Sequence, residues 1–137
     1  MSLEENKAVI RRLFSEVLNK GNLDLVDDLI SSDYTHYDSA NPDLIGPNGY
    51  KELVTKYRNS FSDLKHIIKD IVAEEDKVVV RFEWSGTHDG YLEGIAPTGT
   101  HTKGMGISIF RFSEVKIEEC WDIWDALGLM QQLGVVA

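Results

Sequence analysis

The chain has 137 residues, 42% of them hydrophobic and 27% charged, the make-up of one ordinary globular domain, 1–137, long enough to bury a core. A formal net charge of −9 disfavours nucleic acid and anionic membranes as partners, since both are bound through basic patches. The single cysteine, Cys120, excludes an internal disulfide and a thiol-rich metal site, and reads as a small core residue.

No apolar run approaches the roughly 20 residues of a membrane span. The opening "MSLEENKAVIRRLF" is charged and helical in pattern, not an apolar signal segment, so a cytoplasmic protein is expected. Ser2 and Glu5 have capping-box spacing. Ile10, Leu13, Phe14, Val17 and Leu18 then follow the i, i+3, i+4 pattern of one buried helix face, and Gly21 is placed to end it. Leu25, Val26, Leu29 and Ile30 mark a short second helix. "SSDYTHYDSANPDLIG" reads as a short extended segment leading into a loop. Pro47 suits the first turn of a third helix, whose apolar face is Tyr50, Leu53, Val54, Tyr57 and Phe61.

Near residue 64 the period changes from 3.6 to two. "LKHIIKDIVAEEDKVVVRFEWSGTH" predicts two strands around a turn at Glu74–Asp76. "EGIAPTGTHTKG" is connection, "GMGISIFRF" a third long strand, and "VKIEECWDIWD" a fourth after a turn at 113–114. "ALGLMQQLG" closes the chain as a brief helix. Helices first and strands afterwards predict an α+β fold: N-terminal helices packed on a strongly bent antiparallel sheet that encloses a pocket. Apolar residues on both parities of the strands, such as Val78, Val79 and Val80, predict a second covered face and a homodimer formed through the sheet.

The stretches "SGTHDGYLEGIAPTGT" (85–100), "ECWDIWDALGLMQQLG" (119–134) and "DYTHYD" (33–38) resemble the SnoaL-like polyketide cyclases, within the superfamily of nuclear transport factor 2, ketosteroid isomerase and scytalone dehydratase. The resemblance spans nearly the whole chain. It implies a cone-shaped α+β barrel, usually dimeric. For the cyclase members it implies a cofactor-free intramolecular aldol condensation on a small hydrophobic carbonyl compound, with an aspartate on the last strand as general acid/base, here Asp122. One departure is visible. Anthracycline cyclases of the family use a tyrosine on the first helix, and this chain has Phe14.

Asp122 lies between Cys120 and Trp124 on one strand face, and apolar neighbours of that kind raise a carboxyl pKa. The competing reading is a half-buried aspartate beside Lys116 and Glu118. Asp125 stands where the last strand gives way to "ALGLM", the position of an N-cap, though it is also a candidate for substrate contact. His36 suits proton relay or carbonyl orientation, or else a hydrogen-bonded strand end. His88 and His101, flanked by glycines near strand ends, are candidates for the pocket rim or for surface turns; His66 reads as structural. Trp84, Trp121 and Trp124 are candidates for lining the cavity or for core.

No H-x-H, H-x₃-H or H-E-x-x-H spacing occurs, so no metal site is expected. The serine elbow, phosphate loop and dinucleotide fingerprint are also missing. An epoxide hydrolase of this fold would need two carboxylates and an arginine meeting in the pocket, with Arg81 or Arg111 as candidates. The alternative to an enzyme is a ligand-binding or dimerisation module with the same pocket.

Overall fold

The computed structural model describes residues 2–137. Ser2 caps helix α1 (Leu3–Arg12): its Oγ accepts from the Glu5 N–H, and Glu5 Oε1 accepts from the Ser2 N–H, both at 3.1 Å. The capping box read in the sequence therefore forms. Beyond Arg12 the helix widens into a π turn over Leu13–Leu18, where the Asn19 N–H reaches back to Phe14 O at 3.0 Å. The wider turn brings Leu13, Phe14 and Val17 together into the core. Gly21, at φ +73, ends it in the left-handed region that glycine adopts without strain.

A 3₁₀ turn (Leu23–Leu25) and the short α2 (Val26–Leu29) lead into β1 (Ile30–Asp38), β2 (Leu44–Ile45) and α3 (Gly46–Ser60), with Pro47 in its first turn. Then come β3 (Lys65–Glu74), β4 (Lys77–Thr87), β5 (His101–Ser113), β6 (Lys116–Trp124) and α4 (Ala126–Gln132). The six strands form one sheet in the order β2-β1-β6-β5-β4-β3. The α+β class is as expected, with α1 against β3 and β4, and α3 against β1 and β2.

The sheet differs from the expected antiparallel meander in one respect. The stretch read as a short extended segment is a nine-residue strand, and β1 pairs parallel with β6. The sheet is mixed and open, not closed into a barrel. Local pattern could not show this, because the partner of β1 lies at the far end of the chain. Register shifts in β1 (Ile30/Thr35), β3 (Ile68/Asp70) and β5 (Arg111/Phe112) bend the sheet. Its helix-covered face carries the core, including Val78, Val80, Phe82, Phe110 and Ile117. Among the described residues, no helix is long and apolar enough to cross a membrane.

Candidate active site

Parallel pairing of β1 with β6 sets Asp38 opposite Asp122 and His36 opposite Cys120. Side chains two apart share a strand face, so His36 and Asp38 point the same way as Cys120 and Asp122, into a cavity between the sheet and the helices. His36, Asp38, Ser108 and Asp122 form its polar end; Phe14, Tyr50, Phe82, Trp84 and Trp124 are among its aromatic walls.

The two aspartates are treated unequally. Asp38 Oδ1 accepts from the N–H groups of Ala40 (2.7 Å) and Asn41 (3.2 Å) and from Trp124 Nε1 (3.1 Å). Burial works to raise its pKa, but the His36 ring and these donors outweigh it, and the carboxyl is held below its ordinary 3.8. Asp122 has one side-chain donor, Ser108 Oγ at 2.9 Å from Oδ1. Its side chain is 18% exposed. Burial pushes its pKa up to about 6, with the Asp38 charge adding to the rise, and His36 and Ser108 opposing it. The two neighbouring carboxyls therefore have pKa values pushed apart, Asp38 downward and Asp122 upward.

His36 connects them. It is 2% exposed. Nδ1 lies 2.7 Å from Tyr34 Oη, and Nε2 lies 3.7 Å from both Asp38 Oδ2 and Asp122 Oδ2. That is beyond hydrogen-bond length, and Nε2 is buried without a partner. Burial raises the Tyr34 phenol pKa well above its ordinary value, so Tyr34 keeps its proton; which partner donates in the Tyr34–His36 bond is set by the ring tautomer. Burial likewise holds Cys120 as a thiol, which removes it as a nucleophile.

His36 Nε2 and one oxygen each of Asp38 and Asp122 lie within 4.8 Å of one another. This nitrogen and two carboxylate oxygens are the donor types of a divalent-cation site. The sequence expectation of no metal ligands rested on spacing along the chain, and this cluster is assembled across two strands.

Of the residues singled out from sequence, Asp122, His36, Trp84 and Trp124 line the cavity. Trp121 is on the opposite sheet face, stacked on Tyr37 at 5.6 Å, as its odd position on β6 dictates. Asp125 caps α4: its Oδ1 accepts from the Gly128 N–H at 2.8 Å, and it does not line the cavity. His88 is buried within the 88–100 loop, where Nδ1 accepts from the Thr98 N–H (3.2 Å) and meets Thr98 Oγ1 (3.0 Å). His101 is exposed at the start of β5, 3.1 Å from Thr87 Oγ1. Neither histidine reaches the cavity. Arg81 and Arg111 pair with Asp70 and Glu119, away from it. Asp38, Ser108 and Tyr34 belong to the polar cluster and were missed in the sequence; the period-two run "YTHYD" carried the signal for Tyr34 and Asp38.

A bent sheet backed by helices, with a polar-ended apolar cavity between them, defines the nuclear transport factor 2-like class of α+β folds. Among solved structures, TsrD from Streptomyces laurentii superposes with TM-score 0.88 at 26% identity, covering 99% of each chain. The candidate hydroxylase AclR from Streptomyces galilaeus superposes with TM-score 0.87 at 29% identity, over 99% of this chain and 100% of that one. The family model for SnoaL-like polyketide cyclase matches residues 8–133. Aklanonic acid methyl ester cyclase DnrD of Streptomyces peucetius is 33% identical over 130 residues, 92% of this chain and 88% of that protein. Nogalonic acid methyl ester cyclase of Streptomyces nogalater is 29% identical over 124 residues, 85% of this chain and 88% of that protein. The chain belongs to the SnoaL-like polyketide cyclase family, and with it to a class of cyclase enzymes.

Proposed function

We propose that this protein is a cofactor-independent cyclase that closes a ring in a small, hydrophobic, polyketide-like carbonyl compound by intramolecular aldol condensation, with Asp122 as general acid/base. The observation that supports this best is the contrast between two adjacent carboxyls: Asp38 saturated by donors, Asp122 held by Ser108 alone at the edge of an aromatic cavity.

The ionised Asp122 removes a proton from the carbon next to a substrate carbonyl, leaving an enolate. The enolate carbon attacks a second carbonyl carbon of the same molecule; a C–C bond forms and that carbonyl's π pair becomes an alkoxide. Asp122 returns the proton to the alkoxide, and the enzyme is restored. His36 Nε2–H stabilises the negative charge that passes through this end of the cavity, while Asp38 stays ionised and holds the imidazole between the two strands. The relatives' names carry methyl esters of aklanonic and nogalonic acid, so a polyketide methyl ester is the first compound to try. Phe14 faces the cavity without a hydroxyl, so the first-helix tyrosine of anthracycline cyclases has no counterpart here.

The test uses aklanonic acid methyl ester for turnover and 2-tetralone for exchange of α-hydrogens in D₂O. Asp122→Asn is expected to lose at least about 10²-fold in both, while Asp125→Asn keeps both. Wild-type exchange in Asp122→Asn, with loss in Asp125→Asn, would overturn the assignment. The cation-type cluster supports a second reading, metal-assisted enolisation. Full activity after dialysis against EDTA supports the aspartate mechanism; loss that Zn²⁺ or Mn²⁺ restores supports the metal. Ligand binding with no exchange at all would leave the binding-module reading.

A further inference from the structure

Tyr57 lies on the face of α3 that the sequence marks as apolar, yet a chain of polar groups holds its phenol. Glu93, in the 88–100 loop, pairs with Lys56 Nζ, and the same ammonium donates to Asn41 Oδ1 at 3.0 Å. Asn41 Nδ2 in turn donates to Tyr57 Oη at 3.1 Å. The directions are forced. An ammonium has only donors, so the Asn41 oxygen is the atom that faces Lys56. The amide nitrogen is then the atom that faces Tyr57, and it too can only donate. Tyr57 Oη therefore accepts in this bond, and its own hydrogen must go elsewhere. Among the described residues, no acceptor takes it.

The same contacts place the phenol at the polar end of the cavity. Asn41 also gives its backbone N–H to Asp38 Oδ1 at 3.2 Å. Trp124, whose ring meets Tyr57 edge-on at 5.9 Å, gives Asp38 its Nε1–H at 3.1 Å. Two neighbours of the phenol are thus two of the donors on Asp38, the residue paired across from Asp122. Tyr57 lines the cavity and is only half-buried, so part of its surface stays accessible. Its pKa is pushed up to about 12, by burial first and then by the charges of Asp38, Glu93 and Asp122, against the Asn41 bond. At neutral pH it keeps its proton. A protonated phenol with an unclaimed hydrogen, fixed beside an acid/base, has the form of an oxyanion donor.

We propose that Tyr57 is a further catalytic residue: its O–H hydrogen-bonds the oxygen that becomes negative when Asp122 takes the α-proton, with Asn41 and Lys56 as positioning residues. This rests on the reading of Asp122 as acid/base and adds a group to it. No proton changes place at Tyr57. Asp122 carries the transferred proton throughout, and the phenol only donates to the enolate oxygen, more strongly as charge builds there. The bonds that aim the phenol come from outside the cavity. Their outermost member, Glu93, belongs to a loop that contributes no residue to the cavity lining, so the loop holds a group whose work is done elsewhere.

The experiment uses 4-nitrophenolate as the stand-in for the enolate, and 4-nitrotoluene, with a methyl in place of the charged oxygen, as its control. The protein is Asp122→Asn, whose amide replaces the protonated acid that coexists with the enolate. Both ligands are titrated calorimetrically at a pH of about 9, where the nitrophenol is ionised and Tyr57 is not. Adding Tyr57→Phe, which keeps the ring but lacks the O–H, should lower the ratio of phenolate to toluene affinity at least about tenfold. A Tyr57 that only packs against Trp124 would weaken both ligands equally and leave the ratio unchanged. That result overturns the proposal, as does failure of the Asp122→Asn protein to bind the phenolate. Asn41→Ala should lower the ratio by a smaller factor, and should add nothing in the Tyr57→Phe background; a further drop there overturns Asn41 as the group that aims the phenol. Circular dichroism checks the fold of every variant. α-Deuterium exchange of 2-tetralone is read in parallel. If exchange does not depend on Asp122 while the phenolate ratio depends on Tyr57, the acid/base reading fails and the donor stands.

Discussion

Asp122 makes the folded chain less stable in the form in which it would work. Its carboxyl titrates near 6 in the folded protein instead of at the ordinary 3.8. Between those values the folded state holds a proton that the unfolded chain has released, so the contribution to stability falls as pH rises from about 4 to about 6 and stays lost above that. The displacement corresponds to roughly 3 kcal/mol. Asp122→Asn removes this cost while keeping an acceptor for Ser108. The variant should therefore melt above wild type at pH 7.5, and the gap should close as the pH approaches 4. Thermal melts across that range read it directly; a variant no more stable than wild type at pH 7.5 contradicts the burial argument. The groups that face this carboxyl, His36, Asp38 and Ser108, are unchanged in the comparison. Strand parity set Asp122 between Cys120 and Trp124 but left open a half-buried aspartate beside Lys116 and Glu118; the family motif around it decided the choice. The same parity puts Trp121 on the other face, where it stacks on Tyr37. Asp38 was not legible, since what makes it a partner of Asp122 is a pairing between the two ends of the chain.

At the level of elements, the rules that worked were the local ones. The capping box of α1, the proline in the first turn of α3, and the tight turn at 74–76, where Glu75 takes φ +54, all follow from residues within a few positions of one another. Asp125 belongs with them. It ends β6 and begins α4, accepting from the Gly128 N–H as an N-cap does. Asp125→Ala should cost about 0.5–2 kcal/mol, with faster amide exchange confined to α4 and bound ligand unaffected at the polar end of the cavity. A loss of α-hydrogen exchange in that variant, at unchanged stability, would give Asp125 a share in the chemistry. The π turn at Leu13–Leu18 was not legible, because the pattern Leu13, Phe14, Val17 also fits a regular helix. Its widening is decided by packing: Phe14 meets His66, Phe82 and Phe110 in edge-on contacts.

For the whole molecule the unresolved demand is the outer face of the sheet. One row runs straight across five strands as Tyr37, Trp121, Ile109, Val79 and Val72. Beside it Ile123 is 66% exposed and Ile107 47%. Apolar rows of that length on one exposed face mark an interaction surface. The expectation of a homodimer through the sheet rests on this row and on the apolar residues at both parities. Light scattering at micromolar concentration should give twice the chain mass, and Ile123→Asp should return the mass of one chain. A single-chain mass for the unaltered protein would count against the assembly.

The parallel pairing of β1 with β6 also governs when the protein becomes competent. The Trp124 bond to Asp38 joins positions 86 apart, with almost the whole meander between them. A growing chain can form α1 and the β3–β4–β5 ribbon while the carboxyl pair does not yet exist. Closing so long a loop is entropically slow, so we expect β1 to dock late and the Asp38–Asp122 pair to form with it. Until then Asp122 has neither Asp38 beside it nor a covered face above it, and its acidity is that of an ordinary aspartate. β6 is interior to the sheet, paired with both β1 and β5, so the last strand made in the chain is the one that joins the two ends of the cavity.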